Sequence, residues 1–188
     1  MYQLCCNKTT ESGADEVYIL VMGQSSDGRK YFDRAPAPNA HWDMNDGDQP
    51  NDNSSGDSRC ISNKTLFSGD LANGQTWWLN IVISEEDGGT SRSFQENAGN
   101  LLIATGNPYA ATAGAILQGL SALGFNITDS DDWMGMVGVK VTNNNGAISV
   151  EWTSKEGISS GNDQPQATAN VFTMNHDGSD YSGGFAIQ

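Results

Sequence analysis

The stretch Thr128-Asp-Ser-Asp-Asp-Trp-Met-Gly-Met-Val-Gly-Val-Lys-Val141 joins two signals that organise the reading of the chain. Its second half, Met136 to Val141, alternates in the period of two that marks a half-buried strand. Its first half crowds Asp129, Asp131 and Asp132 into a polar turn ahead of Trp133, Met134 and Gly135. Like charges at that density repel, so the turn is costly to fold unless a positive charge sits among them. A hard cation such as Ca²⁺ meets that need, because it takes several carboxylate and carbonyl oxygens from a flexible loop. The bland counterpart is a solvated acidic turn in front of a strand.

Working outward, the flanking segments are also strands. Thr76-Trp-Trp-Leu-Asn-Ile-Val-Ile83 is the strongest, after an Asn73-Gly74 turn and before the acids Glu85, Glu86 and Asp87. Val17-Tyr-Ile-Leu-Val-Met22 is apolar throughout, which predicts a central strand, and Asp15 and Glu16 precede it. Ala147 to Thr153 follows an Asn143-Asn-Asn-Gly146 turn, and further strands are expected over 2–6, 29–32, 60–67 and 169–174. Residues 35–58 read as a long polar loop carrying His41, Asp43, Asp46 and Asp48, and 175–188 as a glycine-rich tail. One helix is expected near 109–124, with Ala113, Ile116, Leu117, Leu120 and Leu123 on one face and Pro108 at its start. The expected fold is mostly β, an antiparallel sandwich in a single domain over 1–188, with a helical insertion at about 88–127.

Composition narrows the function. The chain has 188 residues, 22 of them glycine, and a formal net charge of −14. Its pI is about 4.1 and its mean hydropathy −0.47. A chain this acidic lacks the basic face that phosphate backbones require, so nucleic acid is not an expected partner. Binding to anionic lipid would need a bridging cation. Neither the basic n-region nor the apolar h-region of a signal peptide is present, and no segment reaches the ~18 apolar residues of a membrane span. The chain is therefore expected to be soluble, whether cytoplasmic, already processed, or released without a classical signal. Cys5, Cys6 and Cys60 form no CxxC pair. Reduced thiols are favoured over a bond from Cys5 or Cys6 to Cys60, and strand alternation would aim at most one of the adjacent pair.

Acids thus cluster at three strand–turn junctions, which an antiparallel topology can bring to one edge. The wording Thr10-x-x-Gly13-Ala14-Asp15-Glu16-Val17-Tyr18-Ile19, a strand ending in Glu86-Asp87, and Asp131-Asp132-x-x-Gly135 before another strand resembles C2-like calcium-binding β-sandwiches. The resemblance covers about a third of the chain. It implies a non-enzymatic module whose acidic loops bind Ca²⁺ and dock to a membrane lipid or protein surface. Its ligands would be Asp87, Asp131 and Asp132 first, then Asp15, Glu16, Glu86 and Asp129, with Trp133 and Met134 as the docking tip. Two departures stand out. The segment between Asp87 and Asp129 is much longer than a calcium loop, and the usual aspartate pair near the second strand is replaced by Asp15-Glu16.

Three other readings compete. A membrane-active toxin or toxin component is suggested by the small residues Ala111, Ala115 and Gly119 on the expected helix, a spacing that permits close helix packing. A Ca²⁺-dependent carbohydrate-binding module would use Trp42, Trp77, Trp78 or Trp152, although one of Trp77 and Trp78 must face the core. A hydrolase with paired carboxylates is the weakest. No Gly-x-Ser-x-Gly elbow or reactive cysteine context is present, and His41 and His176 read as plain surface histidines.

Overall fold

The computed structural model describes residues 1, 3–9, 14–36, 41–45, 59–85, 133–154, 158–161, 169–176 and 179–187. They form β1 (Gln3–Lys8), β2 (Asp15–Ser25), β3 (Lys30–Ala35), β4 (Trp42–Met44), β5 (Cys60–Ser62), β6 (Thr76–Glu85), β7 (Trp133–Asn144), β8 (Ala147–Ser154), β9 (Ile158–Gly161), β10 (Ala169–His176) and β11 (Ser179–Ala186). A five-stranded sheet runs β5-β1-β11-β10-β9, and a six-stranded sheet runs β3-β2-β6-β7-β8 with β4 also beside β2. Each pairing is antiparallel. The protein is mostly β, as the alternating runs predict. No helix occurs among the described residues, and the segment expected to be helical near 109–124 lies outside them.

Parity in the three long strands builds the core. Ile19 pairs with Ile83 and Val21 with Ile81 across β2 and β6. Ile81 then pairs with Val137, Leu79 with Val139 and Trp77 with Val141 across β6 and β7. These side chains form one cluster with Leu4, Cys6, Met174, Tyr181 and Phe185 of the other sheet. Each large apolar side chain removed from water contributes about 1.5–3 kcal/mol, so this shared cluster is what holds the sheets together. The opposite face of β2 is buried as well, at Tyr18, Leu20 and Met22. A continuous apolar run predicts a strand covered on both sides. Arg34 of β3 lies 4.0 Å from the centroid of the Tyr18 ring on that side.

Turns follow their residues. Asn145 and Gly146 both have positive φ, 54° and 86°, the backbone that a two-residue hairpin linking β7 and β8 requires. At the β2–β3 turn Asp27 accepts from Ser25 and Arg29, which lowers its carboxyl pKa to about 2. Gly23 is needed for a different reason. A Cβ there would stand 2.3 Å from Leu79 Cδ2 and 2.9 Å from the Trp78 carbonyl, so no side chain fits.

Four expectations are corrected. The glycine-rich segment 175–188 contains a strand, β11, between β1 and β10. The loop 35–58 contains β4, a short edge element. The strand expected over 60–67 stops at Ser62, followed by Asn63 at φ 56°. The cysteines are not all reduced: Cys5 and Cys60 stand opposite one another in the β1–β5 pair, 4.1 Å apart at Cα, and form a disulfide. Alternation sends Cys6 the other way, into the core, where it remains a thiol. Denatured without reductant, the protein should therefore titrate one thiol per chain with Ellman's reagent, and three after reduction. Replacing both Cys5 and Cys60 by Ser should cost about 2–4 kcal/mol in urea unfolding. Three thiols before reduction would rule the bond out.

Candidate functional site

The register places the starts and ends of the acid-bearing strands together. At one end of the six-stranded sheet, β2 begins with Asp15 opposite Met44 and Glu16 opposite Asp43. On its other side Val17 pairs with Glu85, the last residue of β6. Ser84 in turn pairs with Trp133, the first residue of β7. The chain thus leaves at Glu85 and returns at Trp133 at the same sheet end where β2 and β4 carry Asp15, Glu16 and Asp43. Between the Ser84 and Ile83 pairings β7 holds one extra residue, Met134, a bulge of the kind that re-aims a strand end.

Strand alternation divides these acids between two faces. Asp15 shares the phase of Val17 and Ile19 and is fully buried. Tyr181, from β11 of the other sheet, donates its hydroxyl hydrogen to Asp15 Oδ2. Glu85 pairs with the core residue Val17, so it too faces inward, and it is 2% exposed. Asp15 and Glu85 are diagonal neighbours on the sheet, a relation that separates positions by roughly 7–8 Å. The Tyr181 phenol is pushed far above its ordinary range, first by burial, then by the Asp15 charge, the Asp15 hydrogen bond and Cys6.

Glu16 points to the outer face, opposite Asp43. Two carboxylates at facing positions destabilise a strand pair. His41, two residues before Asp43, stands beside both, its Nε2 3.3 Å from Asp43 Oδ1 and 3.8 Å from Glu16 Oε1. One ligand atom from each of Glu16, His41 and Asp43 falls within 4.8 Å of the others, close enough to share one cation. The imidazole suits Zn²⁺ or another borderline metal better than Ca²⁺, which prefers oxygen.

Of the residues expected as ligands, Asp15 and Glu16 are described, and they occupy opposite faces. Glu86, Asp87, Asp129, Asp131 and Asp132 lie outside the described residues. Trp133 and Met134 begin β7 at this sheet end. Trp77 and Trp152 are in the core, while Trp42 packs half-buried against it. Sequence reasoning named Glu85 among the acids of its turn but not among the ligands, and passed over Tyr181 and the pairing of His41 with Asp43. The first was legible, since Glu85 continues the inward phase of Ile81 and Ile83. The other two depend on which strands become neighbours.

The raised phenols fix a pH dependence. A phenol that stays protonated in the fold while the unfolded chain ionises near pH 10 contributes stability that is full below pH 10 and lost as pH rises above it. Tyr31, raised to about 12 by burial and then by Asp33, acts in the same direction between pH 10 and 12. The unfolding free energy should therefore fall above pH 10, by up to about 1.4 kcal/mol per pH unit from Tyr181 alone. Tyr181→Phe should cost about 1–3 kcal/mol at pH 7, because the buried Asp15 carboxylate loses a donor, and should flatten the alkaline slope. An unchanged slope in that variant would refute the assignment to Tyr181. Comparisons with protein-family models, curated proteins and solved structures found no match to this chain.

Proposed function

We propose that the protein is a non-enzymatic β-sandwich module of C2-like type that binds Ca²⁺ at the acidic end of its sheets and, once charged, docks to a membrane or protein surface. The convergence of strand ends carries this reading: Asp15, Glu16, Asp43 and Glu85 lie at one sheet end, from which the acidic segments 86–87 and 129–132 continue. Carboxylates carried to one sheet end by separate strands, with further acids next in sequence, would supply the oxygen-rich donor set that Ca²⁺ takes. Buried Asp15 and Glu85 would serve the inner side, with Asp87, Asp129, Asp131 and Asp132 completing the cage and Glu86 and Glu16 beside it. Neutralising this end would also relieve part of the self-repulsion of a chain with net charge −14. Trp133 and Met134, at the start of β7, would then form the apolar tip.

The test is a thermal melt in Ca²⁺ against EDTA. A site filled a hundredfold above its Kd adds about 2.7 kcal/mol, or roughly 5–10 °C for a domain of this size. Asp131→Asn with Asp132→Asn should abolish the shift. Vesicles containing phosphatidylserine should sediment with the protein in Ca²⁺ and not in EDTA. Equal melting temperatures in Ca²⁺ and EDTA would sink calcium binding; a shift without sedimentation would leave a protein surface as the partner.

A further inference from the structure

The half of the inter-sheet space remote from Glu85 contains a cavity of ≈ 590 Å³. Its walls are Leu79, Val139, Trp77 and Trp152 from the six-stranded sheet, Phe185 from the five-stranded sheet, and Phe67 from the connection between β5 and β6. The size falls within the range of small-molecule sites, and these walls, with the polar side chains of Asn63, Lys64, Thr65 and Ser68 beside them, suit a guest with an apolar body and a polar end. The walls are fixed in advance. Trp77 Nε1 donates to the Asp70 carbonyl at 3.1 Å, so its one polar group is already engaged. Phe67 is held edge-on between Tyr31 and Trp77, at centroid distances of 4.8 and 5.0 Å. A Cβ at Gly69 would come within 2.6 Å of the Phe67 ring, so the loop is closed tightly behind that wall.

The opening is marked by residues that belong to both the lining and the surface. Lys64 is exposed and lines the cavity on the connection that follows β5, and Ile148 of β8, 50% exposed and the one large apolar side chain exposed among the described residues, lines it as well. Among the described residues, Lys64 is the only Asp, Glu, Lys or Arg that lines the cavity. In a chain with 23 acids against 9 Lys and Arg, a lysine in the lining favours a negatively charged head.

We propose that this cavity binds a single-chain amphiphile with a carboxylate head, the class of medium-chain fatty acids. The apolar chain lies between Trp77, Trp152 and Phe185, and the carboxylate lies at Lys64. This site is separate from the acidic end and needs no metal, so the test is run in EDTA. Dodecanoate is titrated by calorimetry at about 0.15 M salt, where long-range surface charge is screened. Saturable binding of one dodecanoate per chain is expected, and 12-bromododecanoate should quench tryptophan emission. Lys64→Glu changes an exposed residue, and its melting curve verifies the fold. It should weaken dodecanoate roughly ten-fold and tighten dodecylammonium. Absence of saturable binding, as from a cavity already filled by another segment of the chain or by held water, overturns the proposal. So does dodecylammonium binding the native protein as tightly as dodecanoate, an unaltered dodecanoate affinity in Lys64→Glu, or binding that leaves tryptophan emission unquenched.

Discussion

The hydrogen bond from Tyr181 to Asp15 is the constraint on which the arrangement of this molecule turns. A carboxylate at the inner face of a sheet is tolerated only where donors reach it, since desolvation of an unbonded polar group costs several kcal/mol. The hydroxyl comes from β11 and the carboxylate from the first residue of β2, so the bond joins the two sheets at one defined end. With Asp15 inward, alternation leaves no freedom further along β2. Val17, Ile19 and Val21 must enter the core and Glu16 must leave it, opposite Asp43. A one-residue slip would turn Glu16 into the shared core and send Val17, Ile19 and Val21 to the other face.

The same parity explains how much of the fold was legible. Val17 to Met22, Thr76 to Ile83 and Met136 to Val141 announce themselves because their side chains alternate or are apolar throughout, and they became β2, β6 and β7. β11 was hidden because its inward positions read Tyr181, Gly183 and Phe185, with the glycine interrupting the apolar period. β4 and β9 are short edge strands, held by pairing to a neighbour more than by any apolar pattern of their own. The disulfide followed half of the geometric reasoning. Opposite faces for Cys5 and Cys6 is a local consequence of the strand, whereas Cys60 standing opposite Cys5 depends on β5 pairing with β1, a long-range event.

The candidate site was legible to the same depth. That acids gather at strand ends is visible along the chain, and antiparallel pairing brings those ends together. Which acid turns inward is decided by phase, and phase separates Asp15 from Glu16 and singles out Glu85. The Glu16, His41 and Asp43 group could not be foreseen, because it requires β4 to lie beside the first residues of β2 while β3 takes the rest of that edge.

The interior is thus chemically graded along β2 and β6. At the Asp15 and Glu85 end it holds carboxylates and a phenol; toward Trp77 it holds aromatic rings around a cavity. A cation and an apolar chain demand opposite surroundings, one oxygen-rich and the other free of unpaired polar groups. Both are available in one small core because strand ends can carry charge where loops continue from them, while strand centres cannot. The two ends share strands but no side chains, so occupancy of each should stabilise the folded state additively. Departure from additivity would mean that the sheets shift relative to one another, and the Tyr181–Asp15 bond is a contact between the sheets that such a shift would strain.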